Sequence, residues 1–216
     1  SGEPPKAMIV PHAGYIYSGP VAASAYAMLA ANRHSITRVV LIGPDHRVGF
    51  RGIAAPSADW FETPLGRIPV DQEAIDNLPG VERFDRAHES EHSLEVHLPF
   101  LQKSLDDFSL VPLVVGQADP ADVAAVLETL WGGDETLIVI SSDLSHYHDY
   151  LTASRIDNET TRAIESFNDA AIGPQEACGY VGVRGLLQVA SKKGLHEITL
   201  DVRNSGDTAG PRDQVV

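Results

Sequence analysis

The first apolar run of the chain breaks into a glycine-containing turn at Ala7-Met8-Ile9-Val10-Pro11-His12-Ala13-Gly14. A run of this kind predicts a buried strand, and the turn places the imidazole of His12 directly after the strand. Open α/β proteins collect their ligands at the carboxyl ends of the strands. His12 therefore occupies a position where chemically active side chains are often found.

Two later apolar runs end in the same way. Residues 39–42 lead into Gly43-Pro44-Asp45-His46, and residues 137–140 lead into Ser141-Ser142-Asp143-Leu144-Ser145-His146. Because parallel strands share one carboxyl edge, the three turns are predicted to meet there. The side chains that would share this edge are His12, His46, Asp143 and His146.

Strand and helix patterns alternate along the rest of the chain. Residues 110–115 predict a buried strand, a helix capped by Asp119 follows, and residues 196–202 predict a last strand. Residues 59–66 predict an ordered loop with aromatic anchors. This alternation favours an α/β fold with a mostly parallel central sheet and helices on both faces, formed by residues 1–216 as a single domain.

Composition narrows the possible partners and location. A formal net charge of −14 argues against nucleic acid and anionic membranes as partners, because both are themselves negative. Cys178 is the only cysteine, so a disulfide-stapled secreted design is excluded and a reducing cytoplasm is expected. The start at Ser1 and the apolar end at Val216 lead us to expect that short native segments are missing at both ends.

The edge residues have the chemistry of a metal site or of proton transfer. Neutral imidazole is the commonest protein metal ligand, and histidine titrates near neutral pH. Cys178 could supply a thiolate ligand or could be a small, unreactive core residue. Asp143 could bind the metal or orient a metal-bound imidazole by accepting a hydrogen bond.

Other polar residues leave alternatives open. His92 and His97 are five residues apart and do not form the metal-binding pair of H-E-x-x-H, so His92 is expected to be solvated or to cap a helix. His97 could form a second wall of the pocket or cap a helix, and Tyr15 could direct a phenol into the same pocket. Serine hydrolysis is a minor hypothesis, because the G-x-S-x-G motif is absent and it would require a serine within reach of His146.

Five motifs in order give the chain a resemblance to a known family. They are Pro11-His12-Ala13-Gly14-Tyr15, Gly43-Pro44-Asp45-His46, the stretch from Glu91 to Pro99, the stretch from Ser141 to His146, and Ala177-Cys178-Gly179. Together they resemble the Memo family, whose prokaryotic members include the AmmeMemoRadiSam system protein B. The resemblance runs across nearly the whole chain and implies a fold related to the class III extradiol dioxygenases.

The resemblance also implies roles for particular residues. The metal-ligand positions would be His12, His46 and Cys178, and His146 would match the acid/base of the dioxygenases. Asp143 and His97 would be neighbours in the pocket. A thiolate in the place of the dioxygenase glutamate would shift the metal preference toward copper, zinc or low-potential iron.

The expected function is a redox or oxygen-dependent reaction of an unknown small substrate at a bound transition metal, with iron or copper ahead of zinc. His146 would move a proton and Asp143 would assist it, so the enzyme class would be a metal-dependent, dioxygenase-like oxidoreductase. The competing hypothesis is a non-catalytic module that holds a peptide or small molecule in the same cleft. Pocket positions in either case are His97, Tyr15 and His92.

Overall fold

Four parallel strands form one side of a six-stranded sheet. The computed structural model describes residues 4–216. The strands of this sheet are β1 (Ala7–Val10), β2 (Arg38–Pro44), β3 (Ile53–Ala55), β6 (Val81–Arg83), β7 (Ser109–Val115) and β8 (Thr136–Ser141). In spatial order the sheet is β1-β8-β2-β7-β3-β6, and only the pairing of β3 with β7 is antiparallel.

Two apolar cores flank the sheet, because alternate strand residues point to opposite faces. In β2, Val39 and Leu41 face one core, while Val40 and Ile42 face the other. The first core packs against α1 (Tyr15–Tyr26) and α4 (Leu98–Ser104), and the second against α5 (Pro120–Leu130), α6 (Tyr150–Glu165) and α7 (Tyr180–Lys192). Two further α-helices, α2 (Gln72–Asp76) and α3 (His92–Glu95), are short. The predicted α/β architecture with helices on both faces is confirmed.

The helices that follow two neighbouring strands, β1 and β8, lie on opposite faces of the sheet. The chain leaves β1 for α1 on one face, and it leaves β8 for α6 on the other. Crevices at such switch points are the usual ligand sites of open α/β sheets. The topology therefore opens the carboxyl edge where the sequence places its histidines.

Two local predictions were wrong. Residues 59–66 form most of a hairpin of β4 (Trp60–Thr63) and β5 (Gly66–Pro69), and Gly66 makes the tight turn possible with a φ of 124°. Residues 196–202 are not a strand, and the side chains of Ile198, Leu200 and Val202 are exposed. An alternating pattern needs a neighbouring strand to bond with, and none adjoins this segment within residues 4–216.

Every helix of residues 4–216 is too short or too polar to cross a membrane.

Candidate metal centre

Three strand ends and one helix start converge at the carboxyl edge of the sheet. His12 follows β1, His46 follows β2, and Asp143 follows β8. Cys178 lies just before α7, and its backbone N–H donates to the carbonyl of Asp143 at 3.2 Å. This bond holds the Cys178 loop against the end of β8 and brings residues distant in sequence into one site.

Two groups of possible ligand atoms lie at this edge, and His12 belongs to both. In one group, nitrogen atoms of His12, His46 and His92 lie within 4.8 Å of one another. In the other, His12 is grouped in the same way with Asp143 and Cys178. His12 is thus the centre of the arrangement, with imidazoles on one side and a thiol and a carboxylate on the other.

The His12 side chain is almost completely buried, with 1% of its surface exposed. Its Nδ1 lies 2.6 Å from the hydroxyl of Ser141, and its Nε2 lies 3.4 Å from Cys178 Sγ and 3.6 Å from Asp143 Oδ2. Burial lowers the pKa of His12 to about 4, although the charge of Asp143 acts in the opposite direction. The imidazole is therefore neutral at pH 7, which is the form that binds metal ions.

His46 is oriented by a buried carboxylate that the sequence did not single out. Glu91 Oε1 lies 2.9 Å from His46 Nδ1, and Glu91 also accepts hydrogen bonds from the backbone N–H groups of His46 and Ser93. Burial alone would raise the pKa of Glu91, but these hydrogen bonds outweigh it and lower the pKa to about 2. Because an ionised carboxylate only accepts, His46 carries its proton on Nδ1 and leaves Nε2 free.

Asp143 bridges His12 and His146. Its Oδ1 accepts the backbone N–H groups of His12 and Ala13 at 2.8 and 3.1 Å. Its Oδ2 lies 3.9 Å from His146 Nε2, while His146 Nδ1 lies 2.9 Å from the carbonyl of Leu144. A carbonyl only accepts, so His146 donates to it from Nδ1 and turns Nε2 toward Asp143.

Potential metal-ligand atoms therefore converge in the site. The Asp143 carboxylate lies close to His12 Nε2, His146 Nε2 and Cys178 Sγ, and other partners already hold the Nδ1 atoms of these two imidazoles. The Cys178 sulfur lies 3.4 Å from His12 Nε2, and His92 Nδ1 lies 3.4 Å from Glu91 Oε1. The donor set of nitrogen, sulfur and carboxylate oxygen fits a transition metal.

Cys178 is not poised as a free thiolate. Burial and the nearby Asp143 charge raise the pKa of Cys178 to about 12. The sulfur accepts the backbone N–H of Asp143 at 3.3 Å. The side chain is consequently a neutral thiol in the metal-free protein, and a metal ion would have to displace its proton on binding.

The three predicted pocket residues occupy different surroundings. His92 lies against the rings of His12 and His46, with centroid distances of 5.6 and 4.7 Å, rather than only capping a helix or facing solvent. His97 is fully buried behind Ser141, and burial lowers its pKa to about 3. Tyr15 is 49% exposed, and its hydroxyl donates to the carbonyl of Val96.

Two of the three serines near His146 are engaged elsewhere. Ser141 Oγ contacts His12 and His97, and Ser142 Oγ donates to the carbonyl of Asp143, while Ser145 Oγ is buried without a hydrogen-bond partner among the described residues. Within residues 4–216, no serine hydroxyl is hydrogen-bonded to His146. The hypothesis of serine hydrolysis therefore gains no support from the structure.

A cleft of about 280 Å³ opens beside Cys178, between the ends of β2 and β7 and the start of α7. Of the described residues that line it, Asp45 alone is charged, and backbone N–H groups of its own loop occupy both of its oxygens. The rest of the lining is glycine and largely apolar, including Phe50, Val115, Tyr180 and Val181. The cleft suits a small ligand with a mainly apolar body.

The fold and the site together define an α/β protein with a histidine-rich candidate metal centre at the carboxyl edge of its sheet. The family model described as Memo-like protein matches residues 1–216. The chain therefore belongs to the Memo family, as its five motifs predicted.

Curated relatives agree with this assignment. A MEMO1 family protein of Thermotoga neapolitana is 38% identical, over 98% of this chain and 80% of the relative. A MEMO1 family protein of Saccharolobus solfataricus is 36% identical over 96% of this chain and 79% of its own length. One from Methanosarcina mazei is 35% identical over 96% and 82% respectively.

Proposed function

We propose that this protein binds one transition metal ion at the His12 cluster and uses it in a redox or oxygen-dependent reaction of a small molecule. The observation that carries the proposal is the convergence of an imidazole nitrogen, a thiol sulfur and a carboxylate oxygen at the buried His12. Loss of the thiol proton would gather three lone-pair donors within 4.8 Å of one another, an arrangement that a metal cation stabilises. Here the closest groups are the thiol of Cys178 and the carboxylate of Asp143.

The ligand types favour iron or copper, with zinc as the third candidate. Imidazole suits all three ions, while a thiolate shifts preference toward copper, zinc or low-potential iron. The predicted ligand set of His12, His46 and Cys178 draws on both groups that share His12. In such a site the metal would supply electron transfer and polarise a bound substrate.

The remaining residues support the chemistry in distinct ways. His146 Nε2, beside Asp143, is placed to accept or return a proton, and Asp143 would stabilise the imidazolium that forms. The cleft beside Cys178 would hold the apolar body of the substrate and exclude water from it. We extend the proposal to a small-molecule or peptide ligand, with no nucleic-acid or membrane partner, and to a cytoplasmic location because Cys178 is the only cysteine.

The proposal is tested by purifying the protein without oxygen and measuring iron, copper and zinc by mass spectrometry. We expect one metal ion per chain, and X-ray absorption should show nitrogen ligands with or without sulfur. Oxygen uptake with the metal-loaded protein then separates catalysis from binding alone. Absence of stoichiometric metal after purification and after reconstitution with each ion would overturn the proposal and leave the non-catalytic binding module.

Glu91→Gln tests how the protein prepares His46. Glutamine keeps the shape of the side chain but removes its negative charge. It also places an N–H₂ donor where three N–H groups, two of His46 and one of Ser93, need an acceptor. Loss of a partner that orients a ligating histidine typically weakens metal binding by about 10- to 100-fold. Competition with a chromophoric chelator measures this change, and the exposed Glu89→Gln is the matched control. Equal affinities in the two variants would contradict the role of Glu91.

A further inference from the structure

We infer that a buried hydrogen-bond relay from Tyr26 through His97 and Ser141 fixes the proton of His12 on Nδ1 and so presents Nε2 to the site. The relay residues Tyr26, His97 and Ser141 take no part in the proposed reaction and would act only by positioning His12. The expected effect of the relay on metal affinity rests on the proposed function, whereas the proton position on His12 does not.

The relay is continuous and closed to solvent. The Tyr26 hydroxyl lies 2.9 Å from His97 Nδ1, and His97 Nε2 lies 2.9 Å from Ser141 Oγ. Ser141 Oγ lies 2.6 Å from His12 Nδ1 and 2.6 Å from the carbonyl oxygen of Ser93. All four side chains are at least 98% buried, so water cannot replace a missing partner.

Counting protons gives the direction of every bond. The carbonyl of Ser93 only accepts, so the single hydroxyl proton of Ser141 is used there. Ser141 Oγ then accepts from both imidazoles, which requires a proton on His12 Nδ1 and on His97 Nε2. The remaining nitrogen of His97, Nδ1, accepts the hydroxyl proton of Tyr26, and every donor has an acceptor.

The opposite direction leaves a buried group unsatisfied. If Ser141 donated to His12 Nδ1, its oxygen and the Ser93 carbonyl oxygen would face each other at 2.6 Å without a proton between them. A buried polar group without a partner loses its hydrogen bond to water and gains none in return, which disfavours this arrangement. His12 would also carry its proton on Nε2, where it would block a metal ion. The relay therefore selects the tautomer that can bind metal.

The first test reads the tautomers directly in the metal-free protein. Long-range ¹H–¹⁵N NMR of histidine-labelled protein distinguishes protonated from unprotonated ring nitrogens. We expect His12 protonated on Nδ1 and His97 protonated on Nε2. The reverse tautomer at either residue would overturn the relay, whether or not the protein binds metal, so this result is independent of the proposed function.

The second test removes members of the relay one at a time. Ser141→Ala should let the Nε2-protonated form of His12 appear and should weaken Zn²⁺ binding by about 10- to 100-fold, as expected for loss of such a partner. Ser205→Ala, which also removes a buried hydroxyl, is the control and should leave both unchanged. Tyr26→Phe keeps the ring and removes only the donor to His97 Nδ1, so Ser141 Oγ should still hold the His97 proton on Nε2. An unchanged His12 tautomer in a folded Ser141→Ala protein would refute the inference, and should Ser141→Ala not fold, the tautomers of the unchanged protein still decide it.

Discussion

Replacing His12 with alanine is expected to lower metal affinity more than any other single substitution in the site, by more than about 100-fold, because loss of a supporting partner alone costs 10- to 100-fold. The reason is geometric: His12 is the residue that both groups of possible ligand atoms share. Its neutral imidazole also needs no proton removed before it binds, since burial lowers its pKa to about 4. Chelator competition with Fe²⁺, Cu⁺ and Zn²⁺, performed without oxygen, measures the loss.

The matched control is His196→Ala, which removes an exposed imidazole far along the chain. It should bind metal as the unchanged protein does. A His12→Ala protein that is folded by circular dichroism and still holds one metal ion at the original affinity would refute a centre built around His12.

Two further variants decide where the metal lies relative to His12. If the three imidazoles hold it, His46→Ala should weaken binding and Cys178→Ser should change it little. If the thiol and carboxylate hold it, the order of the two effects should reverse. Large losses in both variants would support the ligand set of His12, His46 and Cys178 that the resemblance implies.

The placement of the strand-end residues could be predicted from the sequence for a physical reason. Apolar runs of strand length predict buried parallel strands, and such strands end at one edge, so His12, His46, Asp143 and His146 meet there. Cys178 follows no strand, so residue chemistry left it open between a ligand and a core residue, and the family resemblance favoured the ligand. Its position depends on a loop that bonds to the end of β8, which no local pattern encodes.

Other parts of the site depend on tertiary geometry that spacing does not reveal. Glu89 and Glu91 lie in the same histidine-rich stretch. The Glu89 side chain is exposed, whereas the Glu91 carboxylate turns inward and contacts His46. The His92 side chain is partly exposed, as a solvated residue would be, but it also contacts the rings of His12 and His46. Helical spacing could not reveal these contacts, because both rings come from other turns. The relay through Ser141 joins residues more than 40 positions apart, so it becomes visible only once the fold is assembled.

Gly179→Ala is expected to destabilise the fold although it adds a single methyl group. A Cβ atom at Gly179 would lie 2.5 Å from the carbonyl oxygen of Ser141 and 2.8 Å from Ser142 Cβ. Both neighbours belong to the end of β8 and cannot swing aside as a flexible side chain could. Overpacking of this kind costs about 1–3 kcal/mol, and here it also pushes Cys178 away from His12.

Gly19→Ala in α1 provides the comparison. Apart from its chain neighbours and the helix backbone, its added Cβ would meet Tyr15 Cβ at an ordinary contact distance of 3.8 Å. The gain of about 0.5–1 kcal/mol for alanine over glycine inside a helix is offset by the ring of Pro20, which disfavours a Cβ on the preceding helical residue, so this variant should lose less stability than Gly179→Ala. Urea unfolding of the metal-free proteins gives the free energy of unfolding of each variant. Equal values for the two variants would mean that Gly179 is not needed for close packing. Because the same contact seats the Cys178 loop on β8, a destabilised Gly179→Ala should also bind metal more weakly if the thiol is a ligand, whereas Gly19→Ala should not.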